Sequence, residues 1–357
     1  MGRFVPSVGF VVAGLGIAAS IATWTGTFAG LGVGNVPGLV AAVVAALAFG
    51  ARRHGVDDRR LAFVAGVASF GLAVAAAAAL LYPEATGQSV TVGLGLPVAF
   101  VLGVVGTGIA YADWLGIERP AFVRKSASAL AAFGIGVTGL VVGYVVAVGG
   151  LLVVRSESLI VQQGLSTALF SVGLGIVAVA YLHVRELGFD YIDLRLPDRR
   201  GWLYVVGGVV AMYVVLVAVG ALASALGIPS TEHSLIEAAR ENPTLLLWFI
   251  PLSWLAIGPG EELLSRNIVQ KYLYDSFSRH AAVLVGTIVF TAIHLPTYAT
   301  GGEAAIFATL IRLFAISLVL GVVYERTENV VVAALVHGTY DAIQFGLAYV
   351  AITTGFL

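Results

Sequence analysis

The segment "LLLWFIPLSWLAIGPGEELLSRNIVQ", residues 245–270, begins as an apolar run and then places charged side chains where the run should continue. These are Glu261, Glu262 and Arg266. A charged side chain at the centre of a bilayer costs about 2.5–3.5 kcal/mol even on the most lenient insertion scale. Membrane helices retain such residues mainly where they pair with one another or serve a function. The segment therefore predicts a membrane helix that carries a functional polar site.

The composition of the whole chain is that of a membrane protein. The 357 residues are 59% hydrophobic and 11% charged, whereas soluble domains carry about 25% charged residues. The formal net charge of −1 gives no basis for predicting that the protein binds nucleic acid. Because the chain is so hydrophobic, membrane lipids are its expected surroundings. The chain has no cysteine, which excludes disulfides, thiolate metal sites and a cysteine nucleophile. Its bias toward Ala, Val, Gly and Arg is typical of a GC-rich prokaryotic genome.

Long apolar runs predict an all-α, polytopic membrane protein with about eleven transmembrane helices. A helical span needs about 20 mostly apolar residues, and only helices and closed barrels satisfy all backbone polar groups in lipid. The runs are continuous rather than alternating, which favours helices. The predicted spans are approximately 7–24, 34–50, 61–81, 91–112, 127–153, 164–183, 201–225, 244–264, 281–299, 304–323 and 330–353.

Basic residues concentrate in alternate loops, and this sets the predicted orientation. With the N-terminus in the cytoplasm, the even-numbered loops face the cytoplasm and carry most of the basic residues. The outer loops then hold only Arg155 and Arg240. This arrangement places Arg266, Lys271 and Arg279 at the inner end of the eighth span. We expect a multi-pass protein of the cell membrane with a cytoplasmic N-terminus.

Ionisable groups within the predicted spans are concentrated in the C-terminal half. The charged segment 183–202, "HVRELGFDYIDLRLPDRRGW", separates six N-terminal spans from five C-terminal ones. The intramembrane groups of the last four spans are Glu261, Glu262, Arg266, His294, Arg312, His337 and Asp341. Such residues mark functional sites by default. We therefore predict a catalytic region at 184–357 and an N-terminal region of unknown role at 1–183.

Helix spacing separates the roles of the two adjacent glutamates. Glu262 and Arg266 are four residues apart and share a helix face, so we expect them to form a structural ion pair. Glu261 lies five residues before Arg266, which turns it about 140° away at 3.6 residues per turn. Glu261 is therefore the carboxylate that is free for chemistry.

A free carboxylate and two imidazoles suit the hydrolysis of an amide bond by activated water. Glu261 would act as the general base and His294 would help to hold the water. His337, steadied by Asp341 at its other nitrogen, would donate a hydrogen bond to the developing oxyanion. This mechanism needs no cofactor and forms no covalent intermediate.

The same residues allow three other hypotheses. Glu261, His294 and His337 could bind one zinc ion and leave its fourth position to water, although their spacing is not H-E-x-x-H. Alternatively, the polar residues could relay protons or bind a cation in a transporter, or lock the helices of a non-enzymatic membrane scaffold. A peptidase requires Glu261 and His294 to lie within one water of each other beside His337, whereas a transporter requires a path across the membrane.

Three short motifs carry a resemblance to a known family. "EELLSR" at 261–266 fits EExxxR, "FTAIH" at 290–294 fits FxxxH, and "HGTYD" at 337–341 fits HxxxN/D. They occur in the family's order on successive hydrophobic segments. In this the chain resembles the CPBP family of intramembrane proteases, which includes the CAAX-processing enzymes and is also called the abortive-infection family. The resemblance covers about residues 184–357.

The resemblance implies an intramembrane endopeptidase, of glutamate type or a metalloprotease. Glu261 corresponds to the family's catalytic glutamate, His294 to its partner in positioning water, and His337 with Asp341 to the oxyanion site. The side chains expected to support this geometry are Glu262, Arg266 and Phe290.

The resemblance also bears on the substrate and on Asp341. Eukaryotic members of the family remove the last three residues of prenylated CAAX proteins, so the implied substrate is a hydrophobic or lipid-anchored peptide or protein, CAAX-like ones included. Asp341 stands where the family often has Asn. An ionised Asp cannot donate to an oxyanion, so we expect Asp341 to orient His337 or to act in its protonated form.

The predicted span boundaries conflict with a shared site. Glu261 lies near the inner end of the eighth predicted span, whereas His294 lies past the middle of the ninth. At 1.5 Å per residue, their apparent depths differ by roughly 10 Å. A shared site therefore requires helix tilt, a kink at Pro259, or a later start of the ninth span.

Overall fold

The computed structural model describes residues 3–22, 36–82, 95–228, 234–298 and 303–355. Nearly all of these residues are helical, and none of them forms a strand. The predicted all-α fold is therefore confirmed. The parts of the first, second, fourth and ninth predicted spans that extend beyond these ranges lie outside the described residues.

The described ranges contain twelve helices when the continuous helical segment Thr244–Leu273 is counted as one. They are α1 (Phe4–Ala22), α2 (Val36–Arg53), α3 (Arg59–Leu81), α4 (Gly95–Trp114), α5 (Arg119–Val154), α6 (Leu159–Val184), α7 (Arg199–Ala225), α8 (Ser234–Glu241), α9 (Thr244–Leu273), α10 (Arg279–Ile293), α11 (Glu303–Thr327) and α12 (Val330–Thr354). Short 3₁₀ turns occur at Phe189–Tyr191 and Leu295–Tyr298.

Ten of these helices within the described ranges, all except α8 and α10, are long and apolar enough to cross a membrane. The chain is thus a polytopic helical membrane protein, close to the predicted eleven spans. The difference arises at the ninth predicted span, about 281–299. There the apolar helix α10 has only 15 residues and ends at Ile293, before Leu295–Tyr298 turns as a 3₁₀ helix.

The chain divides into two compact units. The first comprises Met1–Ser126 and Gly301–Ala308, and the second comprises Ala127–Thr300 and Thr309–Leu357. In the first unit, small residues of α1–α4 form much of the core. There the guanidinium of Arg52 donates to both carboxylate oxygens of Asp113, each at 2.9 Å.

The boundary between these units does not follow the segment 183–202. Helix α6 belongs to the second unit because Leu174, Ala178 and Leu182 pack against Leu264 and Ile268 of α9. The predicted catalytic region, 184–357, was defined by its polar residues and motifs and not by its packing. It stays a prediction.

Helix α9 is longer than predicted, and this corrects the position of Arg266. The span was predicted to end near residue 264, but the helix continues to Leu273. Arg266 therefore lies inside the helix and is fully buried rather than at an inner end. The polar run after Leu264 is compatible with a buried helix because its side chains have partners. Gln270 Nε2, for example, donates to the carbonyl oxygen of Gly321 at 3.0 Å.

The longer α9 removes the conflict in depth. Glu261 lies 12 residues before Leu273, or about 18 Å from that end of α9 at 1.5 Å per residue. His294 lies 15 residues after Arg279, or about 22 Å from the adjoining end of α10. Only residues 274–278 join these two ends. The two side chains therefore lie at similar depths.

The local geometry of α9 changes on both sides of the two glutamates. The backbone is π-helical at Ser253–Ile257 and at Leu263–Gln270, with a short α-helical stretch at Gly258–Glu262 between them. π-Helical turns are rare and occur frequently at functional sites. They widen the helix and change the angle at which the following side chains project.

The linker before α7 is bound to the end of α9. Asn267 Oδ1 accepts a hydrogen bond from the backbone N–H of Asp193 at 2.9 Å. The carboxylate of Asp193 in turn accepts from Lys271 Nζ at 3.0 Å and from the hydroxyl of Tyr324 at 2.6 Å. These bonds fix the end of α9 relative to α11.

Two glycines allow α9 and α12 to approach closely. A Cβ atom on Gly338 would lie 2.5 Å from the carbonyl oxygen of Ser253, and one on Gly258 would lie 2.6 Å from the carbonyl oxygen of Ala334. Backbone atoms cannot yield as a flexible side chain does, so any larger residue would push the helices apart. This close approach places His337 beside Glu262.

The variant Gly338→Ala tests this packing. We expect it to lower stability by about 1–3 kcal/mol, because the added methyl group overpacks the helix contact. Thermal unfolding of the purified protein in detergent measures the effect. Gly346→Ala is the matched control on the same helix, since its Cβ would meet no atom within 4 Å. Equal effects of the two substitutions would contradict the role of Gly338.

Candidate active site

The centre of the site is a buried ion pair within α9. Arg266 Nε donates to Glu262 Oε2 at 3.0 Å, and both side chains are fully buried. Arg266 Nη2 donates to the hydroxyl of Ser317 on α11 at 2.9 Å. The four-residue spacing predicts this pairing, since it places the two groups on one face of the helix. The ion pair keeps the arginine neutralised in an apolar interior, and the bond to Ser317 joins α9 to α11.

Glu262 also holds His337. The other carboxylate oxygen, Oε1, lies 3.0 Å from His337 Nδ1. A carboxylate only accepts, so Nδ1 carries the proton and donates. The opposite ring nitrogen, Nε2, lies 3.5 Å from Asp341 Oδ2.

This geometry changes the expected division of roles around His337. The sequence predicts Asp341 as the group that steadies the nitrogen turned away from the reaction. In the structure Glu262 occupies that place, and Asp341 faces Nε2. Glu262 is therefore more than the partner of Arg266.

Glu261 meets His294 across α9 and α10. Glu261 Oε2 lies 3.5 Å from His294 Nε2, and each side chain is about one-fifth exposed (19% and 20%). His294 Nδ1 donates to the carbonyl oxygen of Phe290 at 2.8 Å. In the neutral ring this bond leaves Nε2 as an acceptor that faces Glu261. The two groups are thus accessible, in contrast to Glu262 and Arg266.

Phe290 lies between the two histidines and the arginine. Its ring packs against His294 with centroids 4.2 Å apart and meets His337 edge-on at 6.5 Å. The guanidinium carbon of Arg266 lies 5.0 Å from the ring centroid. Phe290 is itself buried, so one rigid ring limits the positions of all three polar side chains.

The structure brings the predicted site residues together, in two linked sets. Glu261 and His294 form one set and are partly exposed. Glu262, Arg266 and His337 form the other set and are buried, with the partly exposed Asp341 beside His337. The sequence did not single out Ser317, because one serine in an apolar span has many ordinary explanations. Nor did it show that Arg312, also inside a span, has a buried Nε without a hydrogen-bond partner.

The zinc hypothesis does not fit the described side chains. Among the residues that the structure describes, no group of three or more His, Asp or Glu side chains is arranged to hold a metal ion. His337 Nδ1 is bound to Glu262, and its Nε2 lies 3.5 Å from Asp341 Oδ2. Glu261, His294 and His337 therefore do not present three ligand atoms to one point.

Comparison with known families covers the same residues. Residues 243–343 match the family model described as "Type II CAAX prenyl endopeptidase Rce1-like". The match begins at α9 and includes every predicted site residue, and it confirms the resemblance to the CPBP proteases. No curated protein and no solved structure matches the chain. Residues 243–343 of this multi-pass membrane protein are thus similar to a family of intramembrane proteases.

The variant Glu262→Gln tests the buried pair. Removing the charge leaves Arg266 uncompensated in the interior, and breaking a buried pair in this way costs about 3–5 kcal/mol. We expect a correspondingly large fall in the thermal unfolding temperature in detergent.

Glu328→Gln serves as the matched control for this substitution. Glu328 pairs with Arg279, and both side chains are about half exposed, so we expect this surface pair to contribute about 0–1 kcal/mol. If Glu262→Gln were as mild as the control, the buried pair would not support the fold as described.

Proposed function

We propose that the protein is an intramembrane endopeptidase in which Glu261 activates the water that attacks a peptide bond. The observation that carries this proposal is the 3.5 Å separation of Glu261 Oε2 and His294 Nε2, two accessible groups beside the buried His337. This is the arrangement that a peptidase requires and that a proton-relaying transporter does not. The match to the CAAX endopeptidase family supports the same conclusion.

Two acceptors can hold one water in a reactive orientation. His294 donates through Nδ1 to Phe290, so its Nε2 accepts one O–H of the water while the carboxylate of Glu261 accepts the other. The lone pairs of the water oxygen then point away from both groups, toward a substrate carbonyl. Positioning of this kind lowers the barrier because the reacting atoms are already aligned.

The proton and bond changes follow from this geometry. Glu261 takes a proton from the water as the new C–O bond forms, and the substrate carbonyl oxygen becomes an oxyanion. On collapse, the C–N bond breaks and Glu261 returns the proton to the leaving amine. The products are one carboxylic acid and one amine, which together contain every atom of the peptide and the water, and Glu261 is again a carboxylate.

His337 is proposed to stabilise the oxyanion. Its Nδ1 is engaged by Glu262, so Nε2 is the nitrogen that can donate to the substrate when it is protonated. Asp341 lies 3.5 Å from this nitrogen, and an ionised carboxylate beside it favours the N–H form electrostatically. In this arrangement Asp341 orients and charges His337, and it does not itself contact the oxyanion.

The proposed substrate is a hydrophobic or lipid-anchored peptide or protein, with a prenylated CAAX-type C-terminus as its best-defined example. Two features support this choice. The matched family is described by its action on CAAX prenyl proteins, and the site is carried on helices that are apolar enough to lie in a membrane. We further propose that the protein resides in the cell membrane.

The variant Glu261→Gln tests the catalytic base. The protein in detergent or liposomes is incubated with a farnesylated, internally quenched CAAX peptide, and cleavage is followed by fluorescence. We expect the variant to lose at least about 10²-fold in rate, the usual contribution of a general base. Glu237→Gln, at an exposed position on α8, is the matched control and should cleave normally. Undiminished cleavage by Glu261→Gln would refute the proposed role.

A strong chelator distinguishes the two ways of activating water. We propose that catalysis needs no metal, so incubation with 1,10-phenanthroline followed by its removal should leave the cleavage rate of the same peptide unchanged. The control adds the non-chelating 1,7-isomer, which separates metal removal from other effects of the reagent. Loss of activity with the chelator alone, restored by added zinc, would show that the metal hypothesis is correct.

A further inference from the structure

A polar cavity lies away from the proposed catalytic residues, in the second compact unit. It has a volume of about 310 Å³ and is lined by residues of the 195–201 segment and by residues where α11 ends and α12 begins. Ligand sites in proteins occupy about 300–1,000 Å³. None of the proposed catalytic residues lines this cavity, so their chemistry does not account for it.

The lining of the cavity is strongly basic. It includes three arginines, Arg195, Arg200 and Arg326, and a single carboxylate, Asp198. That carboxylate is already engaged, because Asp198 Oδ1 accepts the backbone N–H of Gly201 at the start of α7. The amide oxygen of Asn329 is engaged in the same way with Val331 at the start of α12. The groups left to meet a ligand are therefore mainly guanidinium groups.

The arginines retain donors for a ligand. Arg195 uses Nη2 to donate to the carbonyl oxygen of Glu328 at 2.7 Å, and Arg326 uses Nε to pair with Glu325 at 3.1 Å. A guanidinium has further N–H groups beyond one such bond. These bonds hold the two side chains in place, and both arginines are exposed residues. Planar guanidinium groups match phosphate oxygens in pairs.

The cavity lies where helices enter the membrane. Helices α7 and α12 both begin at its rim, at Arg199 and Val330. Leu196, Trp202 and Leu203 lie near its edge and are exposed by 90%, 53% and 73%. Exposed apolar side chains and a tryptophan beside basic residues are typical of the membrane–water interface. The cavity is therefore at the height of lipid headgroups, on the predicted cytoplasmic side.

We propose that this cavity binds the phosphate headgroup of an anionic membrane lipid. Basic pockets between transmembrane helices on the cytoplasmic side recognise such headgroups, and the exposed Leu196 and Leu203 offer apolar surface to the acyl chains. Arginines at the inner ends of spans also serve as orientation signals. That general role explains their charge, but it does not explain why three of them line one cavity.

The test compares lipid binding by the full-length protein and two triple variants. Delipidated protein in detergent is titrated with phosphatidylglycerol or phosphatidylcholine, and bound lipid is counted by native mass spectrometry. The cavity variant carries Arg195→Gln, Arg200→Gln and Arg326→Gln. The matched control carries Arg59→Gln, Arg60→Gln and Arg124→Gln, which alter exposed residues of the first unit by the same total charge.

The site predicts a selective loss. Each basic residue near a membrane contributes about 1 kcal/mol to the binding of anionic lipid, so the cavity variant should bind phosphatidylglycerol roughly 100-fold more weakly. The control should bind as the unchanged protein does, and phosphatidylcholine should bind weakly to all three proteins. Should the cavity variant unfold, the single change Arg200→Gln, at an exposed position, replaces it, with an expected loss of about 5-fold.

Three results would overturn the proposal. The first is an equal loss of affinity for phosphatidylglycerol in the cavity and control variants, which would indicate a general charge effect. The second is equal binding of phosphatidylcholine by the unchanged protein. The third is displacement of phosphatidylglycerol by millimolar inorganic phosphate, which would identify a soluble phosphate as the occupant instead of a lipid.

Discussion

The carboxylate of Glu262 is the group on which the rest of the second unit depends. An arginine in the middle of a membrane helix is stable only if its charge is balanced, and Glu262 balances Arg266 through Oε2. Through Oε1 the same carboxylate fixes the ring of His337. The interaction that makes α9 possible as a membrane helix therefore also orients an imidazole of the proposed active site. A substitution of Glu262 would therefore affect both the stability of α9 and the orientation of His337.

The surrounding packing serves this one carboxylate. Gly258 and Gly338 let α9 and α12 approach closely enough for a direct bond between Glu262 and His337. The ring of Phe290 separates Arg266 from His294 and contacts both histidines. The adjacent residue, Glu261, projects from another side of α9 and reaches His294, which directly follows α10. Two neighbouring glutamates thus take different environments, one closed and one accessible.

Much of the site follows from helix geometry in the sequence. The period of 3.6 residues places Glu262 on the same helix face as Arg266, and His337 on the same face as Asp341. It also turns Glu261 away from the face that carries Arg266. These relations lie within one helix, so spacing alone determines them. The bonds from Glu262 to His337 and from Arg266 to Ser317 join different helices. They depend on how closely those helices approach, which no spacing within one segment specifies.

The helix boundaries show the same limit. A polar run such as Ser265–Gln270 resembles the end of a span, because the sequence does not show that Asn267 binds Asp193 or that Gln270 binds Gly321. Each polar side chain that finds a partner extends the stretch that can be buried. The error in the end of α9 and the apparent mismatch in depth thus have one physical cause.

The central claim is that water, and not a protein carboxylate, attacks the peptide bond. It is tested most directly by a single turnover in H₂¹⁸O, with enzyme in excess over the farnesylated CAAX peptide and the product analysed by mass spectrometry. Direct attack by the water between Glu261 and His294 predicts one ¹⁸O atom in the new carboxylate of every product molecule. Unlabelled product from that first turnover would contradict the account, because its oxygen would have come from a glutamate of the protein.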